Sequence, residues 1–258
     1  AAYSIVCQMK EILIGASGFV GSTYLKINPN ARVITREELY LDPHREVCEK
    51  LVIAAPSANK WFANKNPLED KADVERLFHH IERKFEPARI LLFSTIDVYG
   101  ELSGVTEMSN ENPSNSYGES RDFLAKTLSS FCPTTSIRLP GLFGPNLKKN
   151  LLYDIKHERR DFISNVNRNS TFQWIDVRKA IEMANTFYAE EMEKVNIVTE
   201  PISVVDIPIS NWKWRNLLKE EGDCVSYNVR TEKNPNGYFF NKETVLESMC
   251  KWIADEKG

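Results

Sequence analysis

The sequence predicts an α/β fold: a doubly wound parallel sheet with a small C-terminal substrate lobe. Three observations predict it. Short apolar runs recur along the first 200 residues, helical stretches separate them, and the first run leads straight into closely spaced glycines. Strands that are apolar throughout are buried on both faces, which calls for helices on either side of a parallel sheet. Right-handed crossovers make a Rossmann-like topology the leading arrangement.

The elements follow in order. EILIGAS (11–17), ARVIT (31–35) and KLVIAAP (50–56) read as the first three strands. Residues 66–85 have helical periodicity, with Val74, Leu77, Phe78 and Ile81 on one face. RILLFST (89–95) is a nearly continuous apolar strand; a helical stretch at 117–131, a strand TSIRLP (135–140) and a final strand VNIVTE (195–200) follow. Residues 200–258 carry Trp212, Trp214, Tyr238, Phe239, Phe240 and Trp252 among turn signals such as Asn234-Pro235-Asn236-Gly237, which reads as a small, mostly non-parallel lobe. The expected division is 9–145 plus 174–200 for the sheet domain and 146–173 plus 201–258 for the lobe.

Bulk composition narrows the function classes. A chain of 258 residues suffices for one large α/β domain or for a cofactor domain with a small partner. A net charge of −3 offers no footprint for nucleic acid and no polybasic membrane anchor. The apolar runs fall far short of the roughly 20 residues of a membrane helix. Cys7, Cys48, Cys132, Cys224 and Cys250 are not spaced as metal pairs, and an odd, scattered set is poor material for a disulfide framework. Reduced thiols in the cytoplasm are the simpler expectation. Residues 1–8, AAYSIVCQ, lack the basic start and long apolar core of a secretion signal, and no function is assigned to them.

The strongest chemical signal is Gly15-Ala16-Ser17-Gly18-Phe19-Val20-Gly21, between the first strand and a helix. A tight strand-to-helix turn needs unusual backbone angles, and a pyrophosphate needs a backbone it can approach without meeting a Cβ. The helix start then offers free N–H groups and partial positive charge. Gly15, Ser17, Gly18, Phe19, Val20 and Gly21 are therefore candidate cofactor contacts; the alternative is a glycine-rich turn with no ligand. Arg36 lies just past the second strand, where an acidic residue reads a ribose 2′-hydroxyl and an arginine accommodates a 2′-phosphate. It favours NADP(H) over NAD(H), although Glu37 and Glu38 beside it could serve an NAD reader.

The motifs ILIGASGFVG (12–21), LVIAAP (51–56), LLFSTIDVYG (91–100), SYGESR (116–121), SIRLPGLFGP (136–145) and FQWIDVRKA (172–180) occur in an order and at separations that resemble the NAD(P)-dependent epimerase/dehydratase family, the extended short-chain dehydrogenase/reductases. The resemblance covers most of residues 10–200. Within that family the chain is most similar to nucleotide-sugar 4-ketoreductases. The resemblance implies a catalytic set of Thr95, Tyr117 and Arg121. Thr95 would hydrogen-bond the substrate oxygen. Tyr117 would give or take the proton, and the cation four residues on would tune it across one helical face. The family has lysine at that position. Arginine keeps the charge, but its planar fork is not equivalent to an ammonium.

The resemblance also places Ala54, Ala55 and Pro56 beside the dinucleotide, and Pro140, Leu142 and Phe143 against the nicotinamide through backbone groups. Ser94 either lines the nicotinamide ribose or is structural. Asp97 either faces the substrate or is an exposed strand-end acid. Substrate contacts are expected from Thr95, Asp97, Asn146, Lys148 and Arg168, basic groups suiting a nucleotide diphosphate. Trp174 reads as packing rather than base stacking, and Asp176 as a helix cap. The implied activity is oxidation–reduction or epimerisation of a nucleotide-sugar, with keto-sugar reduction favoured. A dehydratase is disfavoured because Ile96-Asp97, not an acid pair, follows Thr95. A catalytically weakened NADP(H)-binding regulatory protein is the alternative that Arg121 keeps open. A homodimer through the helices at 66–85 and 117–131 is a further expectation.

Overall fold

The computed structural model describes residues 10–41, 44–210 and 212–255. Residue 9, where the expected sheet domain starts, and residues 1–8 lie outside the described residues.

The chain runs β1 (Glu11–Ile14), α1 (Phe19–Ile27), β2 (Arg32–Ile34), α2 (Arg36–Leu41), β3 (Glu46–Ile53), α3 (Lys60–Lys65), α4 (Pro67–Lys84) and β4 (Phe85–Thr95). After a 3₁₀ turn at Ile96–Val98 come α5 (Ser116–Phe131), β5 (Thr134–Leu139), β6 (Gly141–Phe143), α6 (Leu151–Lys156), α7 (Arg160–Ile163) and β7 (Thr171–Phe172). The remainder is β8 (Trp174–Asp176), α8 (Val177–Ala189), β9 (Lys194–Asn196), β10 (Ile202–Ser203) and α9 (Lys242–Asp255). Among the described residues the main sheet has six strands in the order β2-β1-β3-β4-β5-β9. Every pairing in it is parallel.

The apolar runs form this sheet because alternate side chains point to opposite faces, and both faces are covered. Ile12, Ile14, Leu51, Ile53, Ile90 and Leu92 meet Val74, Leu77 and Ile81 of α4 and Leu124 and Leu128 of α5. The intervening Leu13, Val52 and Leu91 meet Tyr24 of α1 and Ala180, Ile181 and Ala184 of α8 on the other side. The helix expected over 66–85 is α4, with its predicted face inward and Pro67 at its first position, where a missing N–H costs nothing.

A third cluster gathers Phe143, Leu152, Ile155, Trp174, Ile202, Trp214, Met249 and Trp252. It fills the lobe, whose short β7–β10 pair is antiparallel. The lobe also holds the 14-residue α9, which the aromatic and turn signals did not reveal. No helix among the described residues is long and apolar enough to cross a membrane.

Candidate active site

The turn after β1 is built by its glycines. Gly15 has φ +92°, and a Cβ on it would lie 2.4 Å from the Ala54 carbonyl oxygen. A Cβ on Gly21 would lie 2.1 Å from the Gly15 carbonyl oxygen, so α1 packs on the turn only with glycine there. Gly18 differs. Its backbone is extended, it is exposed, and a Cβ would come no closer than 3.4 Å to the protein. Packing does not demand glycine at this point, whereas close approach of a ligand to the backbone does. Gly18 caps α1 without a side-chain hydrogen bond, and no acidic residue occupies the first helical turn. The helix start is thus suited to an anion.

A cleft opens beyond the carboxyl ends of β3, β4 and β5, where open α/β sheets bind ligands. It is lined by Val20, Ala54, Ala55, Pro56, Ser94, Thr95, Tyr117, Arg121, Pro140 and Leu142, all singled out in the sequence, and by Ala58, Leu92, Phe93, Leu124 and Leu139, which were not. Ser94 Oγ is buried with no hydrogen-bond partner, an orphaned group that a bound hydroxyl or amide would satisfy. An open backbone cradle at Gly18, small residues at the strand tips and an orphaned hydroxyl together fit a dinucleotide. Phe143 is placed differently: its side chain is fully buried against Trp252 in the lobe, leaving only its backbone for a ligand.

Thr95 ends β4, and Tyr117 lies in the first turn of α5. Asn115 caps that helix by accepting from Gly118 N at 3.0 Å, and the Asn64 side chain accepts from Tyr117 N at 2.9 Å. Gly118 lets α5 come against the strand end, since a Cβ there would lie 2.1 Å from the Asp97 carbonyl oxygen. This approach places Tyr117 and Thr95 on the wall of the same cleft. Burial pushes the phenol's pKa up. Arg121 and Lys60 pull it down, and Asp97 adds to the rise. The net direction is upward, so the protonated form dominates at neutral pH.

Arg121 shares the cleft but is held elsewhere. Its guanidinium carbon sits 4.4 Å from the centre of the Tyr117 ring. One nitrogen pairs with Asp70 of α4 and reaches Ser120 Oγ at 2.6 Å; another donates to the Ser57 carbonyl at 2.6 Å. Asp70 also accepts from Ser120 Oγ at 2.5 Å. The charge expected beside Tyr117 is present, yet its donors are engaged with the protein.

Asp97 is not an exposed strand-end acid. It is buried because Thr95 caps the 3₁₀ turn, accepting from Asp97 N at 3.2 Å, and folds the carboxylate inward. There Oδ1 accepts from Lys60 Nζ at 2.7 Å and from the Tyr227 hydroxyl at 2.8 Å, while Lys60 also donates to Tyr227 at 2.9 Å. Lys60 opens α3, and Tyr227 comes from the lobe. Sequence reasoning named neither; the lysine-bearing SANK stretch (57–60) just after the LVIAAP motif was the one available hint.

The remaining candidates are dispersed. Arg36 is exposed at the start of α2, directly past β2. Neighbouring Glu38 is paired with Arg32. Asn146, at φ +67°, and Lys148 are both exposed and do not line the cleft. Lys149 is likewise exposed and outside the cleft lining, and desolvation followed by the Arg121 charge lowers its ammonium pKa. Arg168 is on the lobe surface, paired with Glu220 and outside the cleft lining. Trp174 packs in the lobe core, its ring filling the place of a Gly141 side chain. Asp176 caps α8 through Arg178 N at 2.8 Å. No group of histidine, cysteine and acidic residues suited to a metal occurs among the described residues.

No family model matches the chain, and no curated protein matches it. Solved structures do. A UDP-galactose 4-epimerase superposes with a TM-score of 0.73 at 16% identity, covering 96% of this chain and 99% of that one. DesIV, a dTDP-glucose 4,6-dehydratase from Streptomyces venezuelae solved as a double mutant with NAD and DAU bound, gives 0.72 at 14% identity, covering 97% and 98%. RMD from Pseudomonas aeruginosa, complexed with NADPH, gives 0.69 at 14% identity, covering 95% and 98%. At such identities the likeness establishes a shared fold, the Rossmann-like architecture that the sequence motifs imply.

Proposed function

We propose that the chain is an NADP(H)-dependent oxidoreductase of the cytoplasm that reduces a keto group on a nucleotide-sugar, with Tyr117 as the acid. The observation that carries this reading is that Tyr117 and Thr95 line one cleft beyond the strand ends, together with Val20 of the glycine turn. The structural neighbours include a UDP-galactose 4-epimerase, an NADPH complex and an NAD complex, which supports the ligand class and a nicotinamide cofactor, while the NADP(H) preference rests on Arg36.

The first turn of α1 and Gly18 would hold the pyrophosphate, Ala54 and Ala55 would allow the dinucleotide close to the strands, and Ser94 would satisfy its orphaned hydroxyl on it. Arg36 would meet a 2′-phosphate, since Glu38 is engaged with Arg32. The cofactor, when bound, supplies the hydride. The chain's own groups do the rest. Thr95 holds the carbonyl oxygen. Tyr117, kept protonated by burial, gives its proton to that oxygen as negative charge develops. Arg121 over the ring face stabilises the phenolate left behind. Asn146, Lys148 and Lys149 belong to the segment that would receive the nucleotide. Helices α4 and α5 pack side by side with Leu68 and Phe123 exposed, and form the surface we assign to a homodimer.

One observation favours a second reading. Every assigned bond of the Arg121 guanidinium goes to Asp70, Ser120 or Ser57, none to a group positioned for a substrate. This suits a protein that binds NADP(H) without turnover. Tyr117→Phe separates the two. Under the first reading it abolishes NADPH consumption on a panel of keto-sugar nucleotides and leaves NADPH affinity intact. Tight NADPH binding by the wild type without turnover on any of them establishes the second.

A further inference from the structure

Of the acidic residues on α4 only Asp70 is buried, and it sits in the first turn of that helix, outside the cleft lining. Its carboxylate pairs with Arg121, with side-chain exposures of 9% and 6%. Burying two charges is a poor way to gain stability, because desolvation offsets their attraction. A satisfied pair does fix geometry, and this one is satisfied. Asp70 Oδ2 also accepts from Ser120 Oγ at 2.5 Å, and Ser120 Oγ in turn accepts from Arg121 Nη1 at 2.6 Å.

So fixed, the guanidinium joins three segments. Nη1 meets Asp70 of α4 and Ser120 of α5, and Nη2 donates to the Ser57 carbonyl, in the loop between β3 and α3, at 2.6 Å. Its carbon lies 4.4 Å from the Tyr117 ring centre. Pro56 and Ala58, on either side of Ser57, line the cleft, as does Tyr117. The guanidinium therefore ties the loop wall of the cleft to the helix wall, and Asp70 anchors it from outside. The two terminal nitrogens of a planar fork make this possible. An ammonium presents all three donors from one nitrogen and could not span the same acceptors.

We infer that Asp70 is a positioning residue of the cofactor site: acting through Arg121, it braces the β3–α3 loop against α5 and holds the cleft in the shape a dinucleotide enters. Its effect on affinity rests on the NADP(H) site proposed above; the brace itself belongs to the ligand-free protein. Arginine in place of lysine at this position then supplies a span as well as a charge.

Two measurements test it. NMR of protein carrying ¹⁵N-labelled arginine reports on the guanidinium without any ligand. A guanidinium held at both ends rotates slowly about Nε–Cζ and gives separate Nη1 and Nη2 signals, whereas a released one gives an average. Arg121→Lys identifies the signals by their loss. The wild type is expected to show separate signals. Asp70→Asn, which removes the charge but keeps an acceptor oxygen in the same volume, is expected to show the average. NADPH titration by fluorescence then gives the sign of the effect. Asp70→Asn should bind NADPH about tenfold more weakly, the worth of one charge-assisted hydrogen bond. Arg121→Lys keeps a cation for Asp70 but loses the arm to Ser57, and should weaken binding to the same extent. No charge is stranded in Arg121→Lys, so its titration decides the matter should Asp70→Asn fail to fold. Adding Asp70→Asn to Arg121→Met should change affinity no further, since Asp70 acts only through the guanidinium. Separate signals in Asp70→Asn overturn the brace. So does NADPH binding as tight as wild type, or tighter, in Asp70→Asn or Arg121→Lys; tighter binding in Asp70→Asn would mean that Asp70 competes with the cofactor for Arg121. A further loss in the double variant overturns the route through Arg121. If the wild type binds no nicotinamide cofactor at all, the proposed function fails while the guanidinium signals still decide the brace.

Discussion

Two alanine substitutions three residues apart should have opposite consequences. Gly18 has extended backbone at φ −76° and ψ 168°, angles open to any residue, and a Cβ there would lie 3.4 Å from the nearest protein atom. Gly18→Ala reduces the freedom of the unfolded chain, a gain of about 0.4–1 kcal/mol. It also gives up a tolerable helix cap for a poor one, a loss of about 0.5–1 kcal/mol. These offset, so the melting temperature should stay within about 3 °C of wild type. The methyl group would nevertheless occupy the face of the turn that a pyrophosphate must approach, and NADPH affinity should fall at least about tenfold, or ~1.4 kcal/mol. Gly21→Ala is the reverse case. Its Cβ would lie 2.1 Å from the Gly15 carbonyl oxygen and 2.7 Å from the carbonyl carbon, both backbone atoms that cannot swing aside. Overpacking of this kind costs about 3 kcal/mol, the upper part of the usual range. For a chain of this length that lowers the melting temperature by about 6–12 °C. Thermal melts of the ligand-free variants and NADPH titration by fluorescence measure both quantities. Unchanged NADPH affinity in Gly18→Ala would refute the cradle, and a wild-type melt for Gly21→Ala would refute the close packing of α1 on its turn.

Three further outcomes are expected. Asp70→Ala strands the buried Arg121 guanidinium and should cost about 3–5 kcal/mol, seen as a lower denaturant midpoint; a surface-like loss below about 1 kcal/mol would show that the pair is solvated. Arg36→Ala should weaken NADPH binding and leave NADH binding unchanged, so equal losses for both would remove Arg36 from cofactor selection. Glu111 is the acid-sensitive group. Burial alone would raise its pKa, but Arg138 and Lys194 hold it at about 2 against an ordinary 4.5. A depressed folded value contributes stability above the unfolded pKa and loses it as pH falls through the folded one. Glu111→Gln should therefore be less stable at neutral pH, with the gap closing between about pH 4.5 and 2 in melts across that range; a gap independent of pH would contradict the assignment.

The sheet was legible because its strands are buried on both faces. Burial of that kind leaves continuous apolar runs such as RILLFST, whatever the neighbours turn out to be. Helix α4 was legible for a similarly local reason, its apolar face repeating at helical spacing. The two-residue strands β7 and β10 have no such signature, since only the lobe's packing holds them extended. The inner site divides in the same way. Gly15, Gly21, Thr95 and Tyr117 carry motif spacing that the chain displays locally. Lys60 and Tyr227 meet Asp97 from 37 and 130 residues away, and Asp70 meets Arg121 from 51, so no periodicity or motif could announce them. The sequence left Asp97 open between an inward and an exposed position, because the inward fold of a strand-end carboxylate depends on those distant partners.

The main sheet's margins have a consequence of their own. Both outermost strands, β2 and β9, are three residues long. Arg32 on β2 is exposed and paired with Glu38 and Glu46, and at β9 the Glu107 carboxylate takes the Asn196 N–H at 2.7 Å. A neighbouring chain looking for a strand to zip onto finds charge on one rim and an amide already claimed on the other. Brief rims of this kind discourage the edge-to-edge stacking through which β-rich proteins clump when concentrated. The molecule can thus keep a broad, strongly apolar sheet at its centre without advertising it at the borders.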